Sequence, residues 1–285
     1  MSSNSQNQSK AQRREAARAQ ALELKRKQEA ADKRARLITM SVLGVVLAAL
    51  VAIVAFLLIR DSATNAADAV DDGLPLSEVT DVPATALADG GIPIGAGGVA
   101  GVALDEDLPT VGVFFDYLCP ICGQFEEANE DTLEGFLADG TANVVLYPVS
   151  ILNRFSQGTE YPTRAAAAFA WVADRAPAQA LAFHKALFAN EPEENTPGHA
   201  NEQIAEFARE VGVPSDVADG IASGEARRVF GQWVTSATGA ATSNEALLNA
   251  QGQFGTPTIT IDGERWEGNW MVPGALAQAV ADATP

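Results

Sequence analysis

Thr110-Val111-Gly112-Val113-Phe114-Phe115-Asp116-Tyr117-Leu118-Cys119-Pro120-Ile121-Cys122 is an apolar, strand-like run that ends in two cysteines with two residues between them. They are the only cysteines of the 285-residue chain. Gly123-Gln124-Phe125-Glu126-Glu127 then opens a helical stretch that runs to Leu137 and stops at Asp139-Gly140, a suitable C-cap. A strand-to-helix junction is a favourable place for a thiolate, because a helix N-terminus presents unpaired N–H groups and the positive end of the macrodipole. Cys119 is therefore expected to ionise well below the free-thiol value of about 8.5. Pro120 suits the first turn, where its missing N–H is not needed. Cys122, about one turn further in, is expected to be more buried and to keep a higher pKa. Such a pair divides the work of thiol–disulfide exchange: Cys119 forms the mixed disulfide with a partner and Cys122 resolves it.

Other uses of the pair fit less well. Zinc takes about four ligands, and two cysteines with two separated histidines do not supply them, so no metal site is expected. A purely structural bond would close a very short loop and stabilise little.

Working outward, residues 142–148 read as a second strand. Residues 92–104 hold Gly-rich pieces that suit a short first strand or edge hairpin, followed by a turn at 105–109. From about 160 to 252 the composition turns helical, with candidates at 165–173, 178–190, 226–234 and 244–250. Ile204, Phe207, Ala208 and Val211 fall at i, i+3, i+4 and i+7, the stripe of an amphipathic helix. The chain returns to a strand at Thr256-Pro257-Thr258-Ile259-Thr260-Ile261, turns at Asp262-Gly263, and ends in a helix over 273–281. Strand, CxxC helix, strand, helical block, strand, helix is the order of an α/β layer with an all-helical insertion.

The charge is divided sharply. Residues 1–36 carry ten Lys/Arg against four Asp/Glu, a net +6, whereas residues 61–285 carry eight against 33, a net −25. So acidic a domain is not built for nucleic acid. Between the two parts, residues 37–59 contain no charge over 23 positions, roughly 35 Å of helix, enough to cross a bilayer. Lys33, Arg34 and Arg36 crowd its N-terminal side, so the positive-inside rule keeps residues 1–36 in the cytoplasm and the C-terminal part outside. The stretch exceeds the roughly 7–15 residues of a signal-peptide core, so an uncleaved signal anchor is expected, although the small residues at 63–67 leave cleavage open. Residues 60–91 read as an acidic tether, and 92–285 as the folded domain. Outside the cytoplasm a disulfide persists, which suits the thiols.

The second chemical signal is Gly255-Thr256-Pro257-Thr258, a proline at the opening of a late strand. Together, the stretch ending in Cys119-Pro120-Ile121-Cys122, the helical block and Gly255-Thr256-Pro257-Thr258-Ile259 resemble the DsbA-like branch of the thioredoxin superfamily, in particular its membrane-anchored actinobacterial members. The resemblance covers about residues 92–283. It implies a thioredoxin fold interrupted by a helical domain, a cis peptide at Thr256-Pro257 and a groove formed by the CxxC and cis-proline loop. It further implies an extracytoplasmic oxidoreductase needing no cofactor, which acts on secreted or cell-envelope proteins with thiols and is reoxidised by an integral-membrane partner of the DsbB or VKOR type.

Some positions depart from the family pattern. Many members carry an acidic residue six positions before the first cysteine; here Val113 stands there, so that proton relay is absent or reassigned. Asp116 matches a frequent family residue, and at a strand end it reads first as a turn or cap. Strong oxidants of the family often have His between the cysteines. Ile121 has no hydrogen to donate to a Cys119 thiolate, so the pair is expected to be a weaker oxidant than the extreme of about −120 mV. The reverse direction, a reductase or isomerase, and a non-enzymatic binding module are the two rival readings. His184 reads as a helix residue at the edge of the insertion core and His199 as an exposed loop residue. Trp171, Trp233, Trp266 and Trp270 read as core or rim residues.

Overall fold

The computed structural model describes residues 73–283. The segments read as a cytoplasmic tail at 1–36, as a membrane span at 37–59 and as the first part of the tether lie outside them. Among the described residues no helix is long and apolar enough to cross a membrane.

In chain order the elements are β1 (Ile92–Ile94), β2 (Thr110–Phe115), α1 (Pro120–Asp139), β3 (Asn143–Pro148), then α2 (Tyr161–Arg175), α3 (Ala180–Ala189), α4 (Asn201–Glu210), α5 (Ser215–Ala222) and α6 (Glu225–Ser243), and finally β4 (Thr258–Ile261), β5 (Glu264–Arg265) and α7 (Ala275–Ala283). The five strands form one sheet in the order β1-β3-β2-β4-β5. β2 runs parallel to β3 and antiparallel to β4, so Val113 lies opposite both Leu146 and Ile259. A strand covered on both faces needs apolar residues at successive positions, which is why 110–115 shows no polar alternation. α1 is the crossover that the parallel β2–β3 pair requires.

The inserted helices α2–α6 occupy the chain between β3 and β4. α2 has buried residues around its whole circumference, with Ala165, Ala166, Ala167 and Ala168 letting neighbours approach closely. It packs most extensively on α6. A ring cluster joins this block to the sheet: Phe115 of β2 sits edge-on to Phe169 of α2 and to His184 and Phe188 of α3, with centroids 6.2, 4.7 and 5.7 Å away.

Several expectations are refined. α1 starts at Pro120, the residue read as suited to its first turn and ahead of the helical stretch opened by Gly123, with Cys119 as N-cap, because proline is pre-set for a first helical position. Its end is as read: Gly140 adopts φ 61° and ψ 41°, and its N–H reaches Phe136 O. Residues 244–250 are not a helix but a single 3-10 turn, Glu245–Leu247. The Asn244 side chain accepts the Ala246 N–H at 3.1 Å, and Asn249 accepts those of Gln251 and Gln253 at 3.0 Å each. Such local bonds compete with helix formation. α5, short and preceded by Pro214, gives no clear sequence signal. The end of the stretch read as tether lies on the domain: Leu76, Val79 and Ala86 pack against the core, Ala84 N–H donates to Asp174 Oδ1 at 2.7 Å, and Asp89 Oδ2 accepts the Tyr147 hydroxyl at 2.8 Å.

Candidate active site

The end of β2 delivers the thiols to the N-terminus of α1. Asp116 turns the chain between them: its Oδ1 accepts the Leu118 N–H and its Oδ2 the Leu152 N–H, both at 2.9 Å, and its backbone carbonyl accepts the Cys119 N–H at 3.0 Å. Of the turn or cap role read from sequence, this is the turn: the N-cap of α1 is Cys119. Burial pushes the Asp116 carboxyl up from 3.8 to about 7, against the two N–H groups that favour its ionised form.

Cys119 is 6% exposed and Cys122 1% exposed, and both are free thiols. Cys119 Sγ lies 3.3 Å from the Thr256 carbonyl oxygen, to which it donates when protonated, and the Thr256-Pro257 peptide is cis. The structure thus brings together two segments that lie far apart in the chain, as the resemblance implied. Pro120 and Ile121 are exposed at the head of α1, Ile121 to 52%. The loop before α7 adds Met271 and Val272, also exposed, and lies against α1 through Trp270, whose ring meets Phe125 edge-on at 5.6 Å and whose carbonyl accepts from Asn129 Nδ2 at 3.3 Å. Val113 is buried in the central strand, so no acid occupies that position.

The two thiols differ chemically. A hydrogen bond from the Cys122 thiol does most to lower Cys119, from 9.0 to about 6; the Thr256 hydroxyl and the N–H groups of Cys122 and Ile121 add to this, and burial opposes it. Cys122 moves the other way, well above 9.0, through burial first and then through its bond to Cys119 and the charge there. Near neutral pH the outer sulfur is a thiolate and the inner one a thiol. Alkylation of the reduced protein at Cys119 is accordingly expected to be half-maximal near pH 6, with the reactive fraction lost as pH falls below that value. A midpoint at the ordinary thiol value of about 8.5 would contradict the asymmetry.

Two features of the site had no sequence signal. The first is a buried chain, Tyr117 OH to His184 Nδ1 at 2.9 Å, with His184 Nε2 3.3 Å from Glu126 Oε1 but not aligned for a hydrogen bond. His184 is therefore not at the edge of the insertion core but fully inside it, linking α3 to α1. His199 is half-buried, with Nε2 2.6 Å from the Asn190 carbonyl oxygen and its ring edge-on to Tyr161 and Phe207. Trp171 and Trp233 lie in the core, and Trp266 and Trp270 at its rim.

The second is Glu191, just beyond α3. Its Oε2 reaches the first turn of α1 so closely that a Cβ on Gly123 would sit 2.3 Å from it. Glycine directly after the CxxC is what leaves room for this carboxyl. Burial, then the charges of Cys119 and Asp116, push it up from 4.5 to about 8.

The family model of DSBA-like thioredoxin domains matches residues 110–281, which hold the CxxC, the insertion and the cis-proline strand. The chain belongs to this family. The DSBA-like domain accounts for the thioredoxin-like sheet and for the helical insertion between β3 and β4. Among solved structures, DsbA from Mycobacterium tuberculosis in its reduced form is 26% identical, with a TM-score of 0.51 over 68% of this chain and 91% of that one. MdbA, a thiol-disulfide oxidoreductase from Actinomyces oris, shares the fold at 24% identity, with a TM-score of 0.57 over 74% of this chain and 96% of that one. The serine/threonine-protein kinase PknE of Mycobacterium tuberculosis is 28% identical over 179 residues, which are 60% of this chain and 29% of that protein. The chain thus spans less than a third of that curated relative. Family and fold together support a disulfide oxidoreductase.

Proposed function

We propose that this protein introduces disulfides into secreted or cell-envelope proteins through Cys119 and Cys122. The observation that carries the proposal is the asymmetry of the pair: an outer sulfur next to the cis-proline loop, held as thiolate by the Cys122 thiol, the Thr256 hydroxyl and the N–H groups at the head of α1, and an inner sulfur shielded within α1. In the oxidised protein, a substrate thiolate attacks Cys119 Sγ, the Cys119–Cys122 bond breaks, and Cys122 leaves as a thiolate that takes a proton. A second substrate thiolate then attacks the substrate's own sulfur in the mixed disulfide. The substrate disulfide forms and Cys119 departs as a stabilised thiolate.

Exposed Ile121, Met271 and Val272 offer apolar contact to an unfolded chain near the reacting sulfur. In this reading residues 37–59 anchor the domain on the outer face of the bacterial cell membrane, where disulfides last. An integral-membrane partner of the DsbB or VKOR type takes the electrons onward.

Electron flow in the opposite direction, as a reductase or isomerase, is the second reading. Ile121 favours it, since it donates no hydrogen bond to the thiolate whose stability makes the disulfide oxidising. Trapping the pair in cells by acid quench and alkylation separates the two: a mostly oxidised pair is expected for the oxidase, and a mostly reduced pair overturns it.

A further inference from the structure

Reduction of the disulfide brings two electrons and two protons from a substrate dithiol. One proton goes to Cys122. Cys119, held as thiolate by its hydrogen bonds, does not keep the other. The structure offers a place for it. Among the described residues, Glu191 Oε1 is buried with no hydrogen-bond partner, while Oε2 abuts Gly123 in the first turn of the active-site helix. Glu191 also lines a cleft of about 430 Å³ together with Pro120, Gly123, Glu126 and Lys185, so protons have a route from solvent.

We propose that Glu191 takes up the second proton when the Cys119–Cys122 disulfide is reduced, so that its own negative charge beside the disulfide is exchanged for that of the Cys119 thiolate. The step balances: the disulfide accepts two electrons, its sulfurs become the Cys119 thiolate and the Cys122 thiol, and the Glu191 carboxylate becomes a carboxylic acid. The substrate dithiol supplies both electrons and both protons and becomes a disulfide. The site carries one unit of this charge before and after, which avoids placing two anions together where water is scarce. The inference rests on the redox role proposed above.

The surroundings of Glu191 favour it over the other acid nearby. Asp116 also lies beside Cys119, but both its oxygens are engaged by backbone N–H groups and it is fully enclosed. Glu194, in the same loop as Glu191, adds negative charge, and Tyr161 of α2, close enough to feel the charge of Glu191, is a neutral phenol raised by its own burial. Across the cleft, Lys185 is occupied by Glu130 and Glu134 of α1, and Glu126 lies against His184. Among the described residues no cation is paired with Glu191, so when the Cys119 thiolate forms nearby a proton is the available way to relieve the repulsion.

The test is the equilibrium constant of the full chain with glutathione, measured at about pH 6.5 and about pH 7.5. Two glutathione thiols release two protons, so a protein that takes up two shows a nearly constant value. One that takes up a single proton shows a rise of about tenfold per pH unit. The wild-type value is expected to stay nearly constant, and that of Glu191→Gln to rise about tenfold. Gly123→Ala, whose Cβ displaces the same carboxyl while leaving it in the chain, is expected to follow Glu191→Gln and covers the case of a variant that folds poorly. The same pH dependence in wild type and in both variants overturns the inference alone. A wild-type pair that never exchanges with glutathione overturns it together with the redox role.

Discussion

In a Cys122→Ala protein, the Cys119 thiolate attacks disulfides of partner chains, one partner sulfur leaves as a thiolate, and the mixed disulfide that forms persists, while catalysed disulfide formation falls by at least about 10³-fold. The size follows from geometry. Cys122 lies one helical turn from Cys119, and an oriented intramolecular group acts at an effective molarity far above any millimolar external thiol. Without it, release waits for an outside thiol. The remaining thiol also loses the hydrogen bond that does most to lower Cys119, so its ionisation moves back toward the ordinary range and capture slows at low pH. Non-reducing gels of cells expressing the variant, developed for this protein, provide the measurement. A ladder of adducts that collapses on reduction is the expected result, and a single monomer band would favour the binding-module reading instead.

Phe115→Ala is expected to cost about 3–5 kcal/mol, a large part of the 5–15 kcal/mol that holds a typical domain folded. Phe115 is almost wholly buried, and its ring meets those of Tyr117, Phe169, His184 and Phe188. Truncation leaves a cavity between the central strand and the insertion, bounded by rings and an alanine-rich helix that cannot collapse into it without moving backbone. Phe115→Leu keeps most of the volume and is expected to cost much less. Urea unfolding of the two variants at one pH checks this; a loss under about 1 kcal/mol for the alanine variant would show that the insertion is held to the sheet by other contacts. Because α3 leads directly into Glu191, loosening this cluster is also expected to disturb the pH dependence of the thiol pair.

The sequence carried the strong local signals faithfully. The unbroken apolar run at 110–115 marks a strand covered on both faces, and Pro120 after Cys119 marks a helix start. The stripe Ile204, Phe207, Ala208 and Val211 marks α4. Each is a pattern that a few neighbouring residues complete among themselves. Residues 244–250 misread because helix-compatible composition lost to side-chain bonds from Asn244 and Asn249. The docking of residues 76–91 was hidden because its partners, Asp174 and Tyr147, lie on elements far along the chain.

The thiol chemistry divides in the same way. Two cysteines at a strand-to-helix junction, with nothing else in the chain to compete for them, point to a reacting pair and set the order of burial of its two members, since position along one helix turn sets exposure and the share of the helix dipole. Only the folded chain decided what surrounds them. Val113 left the family's acidic position empty, and nothing in the sequence said that a glutamate at the end of α3 would come to the side of Gly123, or that His184 would be sealed between Tyr117 and Glu126. Electrostatics acts through space and depends on burial, and both are set by how the insertion folds back on the sheet rather than by spacing along the chain.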